Sequence, residues 1–331
     1  MIMINQPSFS DQVINLVVII VNYQTPDLTI NCLQSLISEI NAQPDVKVVV
    51  ADNNSGDESL AKIQTAINIH GWKNWATLMP LKQNGGYAFG NNAVIKHFLN
   101  ISWPPTYFWL LNSDTIVRPG ALKALLDFMN ENLSVGIAGS RLEDPDSTPQ
   151  RSAFRFHTIY SELDSALRLG IISKLLERWI VAPPVPANIS PTDWIPGASM
   201  IIRSQVLAEI GLMDEEYFMY YEDSDFCLKA KKHGWSCWYV PTSKVVHLVG
   251  QSSQINNQQT EPKRRPQYWF NSRQHYFVKN HGWWYAILVD LVWIISFSIW
   301  KIRSFIQRRP NYDPPNFFRD FLRHSIFLKG V

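Results

Sequence analysis

Near-continuous β-branched runs alternate, through the first half of the chain, with segments whose apolar residues fall three and four apart. Residues 15–23 read N-L-V-V-I-I-V-N-Y. A strand that is apolar on both faces is one buried on both faces, as in a parallel sheet. Pro26-Asp27 then opens a helical pattern (Leu28, Ile30, Cys32, Leu33, Leu36, Ile37, Ile40), and a second buried strand follows at 46–51. Strand, helix, strand predicts a right-handed parallel crossover. Ligands of such sheets bind beyond the carboxyl ends of the strands. Residues 22–25 and 52–57 therefore share one rim. A third buried strand at 107–111 ends in Asn112-Ser113-Asp114-Thr115, and helix 121–129 and strand 135–139 continue the sheet. Strand 199–202 leads into helix Ser204–Ile210, which stops at Gly211. A further helix runs over 223–233, with Gly234 as its stop. The fold class is α/β: a single Rossmann-like, mostly parallel sheet flanked by helices, with a helical C-terminal extension.

The periodicity weakens from Arg141 to Pro191. Asp144-Pro145-Asp146 and Pro183, Pro184 and Pro186 mark loops. Residues 160–181 carry apolar positions at helical spacing, which fits either an apolar flap or an acceptor-side element. The stretch 250–262 is polar and reads as a flexible loop. It leads to Lys263-Arg264-Arg265 and then Arg273, basic residues that fit closure over a diphosphate and equally a solvated surface. Residues 283–300 are strongly apolar, with Trp283, Trp284, Trp293 and Trp300, and Lys301, Arg303, Arg308 and Arg309 follow. The stretch is short for a membrane span and contains Asp290. An interfacial helix fits it better, with Trp and basic residues at head-group level; a buried core or dimer helix is the alternative.

Composition narrows the class. The chain has 331 residues, 46% apolar and 18% charged, and its 13 Trp suit surfaces that meet lipid or sugar. A net charge of +2 gives no electrostatic case for nucleic acid. Cys32, Cys227 and Cys237 show no metal spacing and read as buried thiols in a reducing compartment. Residues 1–12 read as polar and loose. The apolar run 16–21 is too short for a signal peptide, so the expected location is the cytoplasmic side.

Candidate chemistry gathers on the rim. Asp52 can accept a hydrogen bond from a pyrimidine ring N–H, and the small residues after it allow close approach; the run 52–57 also fits a turn with a helix cap. Asn84-Gly85-Gly86-Tyr87-Ala88-Phe89-Gly90-Asn91-Asn92 opens a helix and offers backbone N–H groups to an anion, or is a capped tight turn. Asp114, at the end of a parallel strand, is placed to hold Mg²⁺ or Mn²⁺ against a diphosphate, or to cap a turn. His247 fits a second metal ligand or a structural histidine. Gly197, in Asp193-Trp194-Ile195-Pro196-Gly197, allows a backbone to approach a ligand. Glu222-Asp223-Ser224-Asp225 opens its helix with Tyr217, Phe218, Tyr220 and Tyr221 just ahead. Acids in the first turn and Lys229, Lys231 and Lys232 in the last suit the helix macrodipole. A carboxylate beside aromatics on a phosphate-binding rim also suits acid–base work. The helix N-terminus is expected to lower the pKa of Asp223, leaving its strength as a base to positioning.

Taken in order, V-N-Y (21–23), A-D-N-N-S (51–55), N-G-G-Y-A-F-G-N-N (84–92), L-L-N-S-D (110–114), W-I-P-G-A-S-M (194–200), D-E-E-Y-F-M-Y-Y-E-D-S-D (214–225) and H-L-V-G (247–250) resemble the inverting family-2 glycosyltransferases of GT-A fold. The nearest likeness is to bacterial rhamnosyltransferase-like members, which D-P-P-N-F-F-R-D-F-L-R-H-S (313–325) shares. The resemblance implies a GT-A domain over 14–250, with a nucleotide-binding half (14–140) and an acceptor/catalytic half (141–250). It leaves 251–331 as a basic loop and an amphipathic, membrane-associated region. By position, Asp52 resembles the carboxylate that reads the nucleotide base, with Asn22, Tyr23, Asn54, Asn84, Gly85, Gly86, Asn91, Asn112 and Arg273 as the remaining donor-binding candidates. Trp194, Gly197 and Glu222 fall at the acceptor or donor sugar. Asp114 and His247 are the metal candidates, and Asn112 stands where the family has the first Asp of its metal-binding pair. Asp223 matches the general base.

The implied reaction moves a sugar, rhamnose being the guess, from a dTDP- or UDP-linked donor with inversion. The acceptor is a glycan or a polyprenyl-diphosphate-linked glycan, and a divalent metal assists. The implied setting is bacterial cell-envelope polysaccharide synthesis, peripheral at the inner face of the membrane. A non-catalytic nucleotide- or glycan-binding subunit is the alternative. A dinucleotide oxidoreductase would need a glycine fingerprint after the first strand, where Asn22-Tyr23-Gln24-Thr25 has none.

Overall fold

The structure is a computed structural model that describes residues 14–248 and 262–329. The expected loose N-terminus, Gly250 and nearly all of the polar 250–262 loop lie outside the described residues. Among the described residues, nine strands form one sheet: β1 (Leu16–Asn22), β2 (Val46–Asp52), β3 (Ala76–Pro80), β4 (Tyr107–Asn112), β5 (Thr115–Val117), β6 (Val135–Glu143), β7 (Ser190–Thr192), β8 (Ser199–Arg203) and β9 (Ser236–His247). Their order is β3-β2-β1-β4-β8-β6-β9-β5, and β7 pairs with β9. The half from β3 to β4 is all parallel; β8 runs against β4 and β6, and β6 is parallel to β9. Register brings Asn22 beside Asp52 and Val21 beside Asn112, so the polar strand ends line up on one rim.

Alternation within the buried strands divides the core. Val18, Ile20, Val48, Val50, Trp109 and Leu111 face one layer, with α1 (Pro26–Ser35), α2 (Ile37–Ala42), α3 (Ser59–Ile69) and α5 (Ala121–Glu131). Val17, Ile19, Val49, Ala51, Phe108 and Leu110 face the other, with α4 (Gly86–Leu99), α8 (Ser204–Ile210) and α9 (Glu222–Lys232). Both faces are covered, which is why these strands read as continuous apolar runs. The helix expected over 28–40 is two helices that join at Leu36. The pair α3 and β3 had no strong pattern to announce it: β3 is five residues long and ends in Pro80.

The 160–181 segment folds as α6 (Ile159–Leu167), α7 (Gly170–Leu175) and a short turn of helix. A capping box between Thr158 and Ser161 starts α6. These helices pack with the C-terminal part: α10 (Gln267–His281), α11 (Trp283–Ile306), α12 (Phe317–Arg323) and α13 (Ile326–Lys329). Ala166 joins Phe270, Trp293, Phe297, Trp300 and Phe321 in one cluster, and Arg303 donates to the carbonyl of Leu167 at 3.0 Å. One face of α11 is thus buried in the protein. The other carries Trp284, Leu288, Leu291, Ile295, Ile299, Ile302 and Ile306, all exposed, at steps of three and four residues. That spacing is a continuous apolar stripe along the helix.

Candidate active site

The rim is built from strand ends that tie one another down. Asn22 Nδ2 donates to Asp52 Oδ1 at 2.7 Å and to Ser55 Oγ at 3.1 Å, and Asn22 Oδ1 accepts from Thr29 Oγ1 at 2.8 Å. The Asp52 carboxylate also accepts from Ser55 Oγ (2.6 Å) and Ser55 N (3.0 Å). Asn54 holds φ 58°, a conformation that Asn tolerates better than most residues. Tyr23 is exposed at the rim's edge. The next loop joins through Asn53, whose Nδ2 donates to Asn84 Oδ1 (3.1 Å) and to the Gly86 carbonyl (2.9 Å). Asn84 Oδ1 also accepts from Gly86 N at 3.1 Å. Asn91 is buried inside α4 and donates to the Tyr87 carbonyl.

Gly86 sits where the donor-side turn meets the acidic segment. Its φ is +89°, and a Cβ there would lie 1.9 Å from the Phe218 carbonyl oxygen. Tyr87 N donates to that same oxygen at 3.0 Å. Tyr87 Oη then donates to the Gly197 carbonyl at 2.8 Å, and a Cβ on Gly197 would strike the tyrosine ring. Gly197 N donates to Asp223 Oδ2 at 2.9 Å. A single chain of contacts therefore runs from the glycine turn through Tyr87 and Gly197 to Asp223.

Glu222 and Asp223 open α9. Tyr220 and Tyr221, just before them, hold φ of 71° and 69°, a strained pair of backbones of the kind that clusters at functional sites. Glu222 is 5% exposed, and Glu222 Oε2 and Asp223 Oδ1 are buried with no hydrogen-bond partner among the described residues. Burial pushes Asp223 up to about 6, against the pull of its bond from Gly197 N. Burial, then the charge of Asp223, pushes Glu222 well above the usual carboxylate range. The expected lowering of Asp223 by the helix N-terminus is thereby corrected, because desolvation outweighs it. Asp225 is spent on structure: it accepts from Lys279 Nζ (2.7 Å) and Asn280 Nδ2 (2.6 Å), tying α9 to α10.

At the other end of the rim, pairing of β5 with β9 sets Thr115 opposite His247. His247 Nε2 comes to 3.5 Å from Asp114 Oδ1. Asn112, one strand end away, donates its N–H to the Ala198 carbonyl. No cluster of three or more His, Cys, Asp or Glu that could cage a metal occurs among the described residues. One carboxylate oxygen and one imidazole nitrogen are donors of a kind that suits a divalent cation such as Mn²⁺.

A profile of the family described as "Glycosyltransferase like family 2" matches residues 15–268, most of the chain. The chain belongs to this family. It is an enzyme, an inverting glycosyltransferase of GT-A fold. The N-acetylglucosaminyl-diphospho-decaprenol L-rhamnosyltransferase of Mycobacterium tuberculosis is 27% identical over 280 residues, covering 80% of this chain and 84% of that one. The dTDP-rhamnosyl transferase RfbF of Shigella flexneri is 27% identical, covering 72% of this chain and 71% of that one. Among solved structures, the mannosyltransferase PcManGT of Pyrobaculum calidifontis, in complex with GDP-Man and Mn²⁺, superposes with a TM-score of 0.56 at 13% identity. That match covers 95% of this chain and 86% of the other and bears on the fold.

Most of the glycosyltransferase's sequence candidates converge on the rim, and Arg273 does not. It lies in α10, 4% exposed, and is held by Glu162 Oε2 (2.6 and 2.9 Å) and Asp290 Oδ1 (2.6 Å). A guanidinium matched by two buried carboxylates cannot also be offered to a donor diphosphate. The pairing also explains how Asp290 sits in an apolar helix. Trp194 stacks on Phe154 at 4.3 Å and lies 6.1 Å from the ring of His157. His157 was missed in the sequence. Its ring is 4.7 Å from Tyr221, and burial, aided by Arg273, pulls its pKa down to about 3, so the imidazole is neutral. It stands in a loop with no local pattern. Tyr87 was visible, as an aromatic inside a glycine-rich turn, but its link to Gly197 joins residues 110 apart.

Proposed function

We propose that this enzyme transfers a 6-deoxyhexose, L-rhamnose, from a dTDP- or UDP-linked donor to a polyprenyl-diphosphate-linked glycan at the inner face of a bacterial membrane. Both relatives named above carry rhamnosyl transfer in their names, one with a decaprenol-diphosphate acceptor and one with a dTDP donor. Asp52 accepts from the N–H of the pyrimidine ring, and Asn22 and Ser55 orient its carboxylate. The glycine turn after Asn84 brings backbone close to the donor's phosphates, but Gly86 N and Tyr87 N, expected as anion donors, are already bonded to Asn84 Oδ1 and the Phe218 carbonyl. Asp114 and His247 hold the divalent cation, which when bound offsets the charge gathering on the leaving diphosphate.

The observation that carries the catalytic assignment is the Asp223 carboxylate. One oxygen is anchored by Gly197 N, and the other is buried and has no hydrogen-bond partner among the described residues. The acceptor hydroxyl gives its proton to this second oxygen. Its oxygen forms a bond to the anomeric carbon from the face opposite the diphosphate, which departs with the bonding pair. A single displacement inverts the centre. Glu222, held protonated by burial, can donate a hydrogen bond to a sugar hydroxyl, as a neutral buried acid does.

Membrane contact falls to the exposed stripe of α11. Trp283 and Trp284 lie at one end, and Lys301, Arg308 and Arg309 at the other. By length and composition α11 could cross a bilayer, but its other face is committed to the protein core. An in-plane pose satisfies both faces. The test is sugar transfer from dTDP-rhamnose and UDP-sugars to farnesyl-diphosphate-linked N-acetylglucosamine, with Mn²⁺ or chelator. Metal-dependent, inverted product from dTDP-rhamnose is expected. Turnover with UDP-sugars alone would overturn the donor, and transfer undiminished in chelator would overturn the metal.

A further inference from the structure

A cavity of about 340 Å³ lies between the start of α10 and α12, lined by Arg264, Arg265, Gln267, Phe270, Asp320 and His324. Small-ligand pockets run from roughly 300 to 1,000 Å³. Its two arginines are used differently. Arg264 grips Asp320 through Nε and Nη2, both at 2.7 Å, so its charge is matched within the protein. Arg265 has no carboxylate partner among the described residues. Its guanidinium rests 5.6 Å from the Trp269 ring, and its buried Nε makes no hydrogen bond there. A guanidinium is a fork of five N–H donors that fits phosphate oxygens two at a time. A partly buried one with no anion opposite it is a binding group waiting for a ligand.

The cavity's neighbours say which ligand. Tyr268, in the first turn of α10 and three residues after Arg265, lies 5.3 Å from the Phe218 ring and 6.0 Å from the Tyr220 ring. Phe218 is the residue whose carbonyl presses on Gly86. On another side, Phe321, next to Asp320, stacks 3.6 Å from Trp293 of α11. The cavity thus lies between the tyrosines before the catalytic helix and the helix that carries the apolar stripe.

We propose that this cavity binds the diphosphate of the lipid-linked acceptor, with Arg265 as its principal ligand. The proposal rests on the lipid-linked reading given above. The donor's diphosphate has the Asp114–His247 end of the rim. The helices that line the Arg265 cavity, α10 and α12, pack on the buried face of α11, whose opposite face carries the apolar stripe along which a polyprenyl tail would run while its sugar reaches Asp223.

The test uses the full chain. Inorganic pyrophosphate is titrated calorimetrically in chelator into the wild type, Arg265→Gln and Asp114→Asn. Arg265→Gln should weaken binding about tenfold or more, and Asp114→Asn should leave it unchanged; the reverse pattern would overturn the site. Initial rates are then compared on farnesyl-diphosphate-linked N-acetylglucosamine and on its octyl glycoside. The KM for the first should rise about tenfold in Arg265→Gln, recovering in part in Arg265→Lys, while the KM values for the octyl glycoside and for the donor stay put. A raised donor KM would assign the cavity to the donor, and equal losses on both acceptors would reduce Arg265 to a structural role; either result overturns the proposal. If the wild type glycosylates neither acceptor, the lipid-linked reading itself fails, and the pyrophosphate titration still decides whether Arg265 binds a diphosphate.

Discussion

At the scale of the residue, the proposed mechanism gives two adjacent carboxyls different tasks. Asp223 must be ionised to take a proton, and burial holds it up to about 6. The kcat/KM for transfer should therefore rise as pH climbs through about 6 and level off above it; a flat profile between pH 5 and 8 would remove Asp223 as the base. Asp223→Asn should lower kcat about 10²- to 10⁴-fold, the usual share of a general base, with donor Kd unchanged by calorimetry. The same group carries a stability cost. Its folded pKa lies above the unfolded one, so the folded state binds the proton more tightly and loses that advantage as pH rises through about 6. Asp223→Asn should thus gain in melting temperature over the wild type at pH 8 relative to pH 4.5. Loss of turnover with gain in stability would mark a site strained for function rather than for folding.

Junctions carry the strain at the scale of the element. The turn into α4 approaches the segment before α9 so closely that Gly86 has no room for a methyl group. Gly86→Ala should cost about 1–3 kcal/mol for the positive φ alone, with more for the clash, and should widen the path from the donor turn to Asp223. Denaturant unfolding at matched pH reads the first effect and donor KM the second. The C-terminal helices depend on a different junction. Arg273 holds Glu162 of α6 and Asp290 of α11, and Asp290 Oδ2 accepts from Ile326 N. Arg273→Met would leave two carboxyls buried without their cation, a loss of about 3–5 kcal/mol. An unfolding free energy within about 1 kcal/mol of wild type would mean that water reaches the triad.

For the whole molecule, the proposed function divides the work between the sheet, which would bind the donor, and the C-terminal helices, which would bring in the acceptor. The sheet brings residues from seven segments of sequence onto one rim, and the helices present an apolar stripe next to cations. Replacing Ile295 and Ile302 with Glu should release the enzyme from anionic vesicles in a sedimentation assay while leaving transfer to a soluble octyl glycoside intact. Retained vesicle binding would move the membrane contact to another surface. Salt should weaken the wild-type binding only in part, because apolar burial is insensitive to screening and the cationic end is not.

The sequence alone determined what local periodicity and turn chemistry encode. The buried strands, the rim at their carboxyl ends, helix Ser204–Ile210 and the acidic start of α9 were legible because each is a matter of side chains within a few residues. The order of motifs added the family. Tertiary structure decided what depends on distant partners. Arg273 is basic and near a basic run, yet Glu162 and Asp290 claim it from 111 and 17 residues away. Asp114 and His247 meet because β5 pairs with β9. Asp223 has a raised pKa because it is buried, an effect that outweighs its hydrogen bond from Gly197 N, and desolvation belongs to an environment rather than to a residue. An amphipathic, interfacial C-terminal region was legible in the sequence, but which face of α11 stays exposed was not. Both of its faces are rich in apolar residues, and the packing of α6, α10 and α12 alone determines which one is left bare.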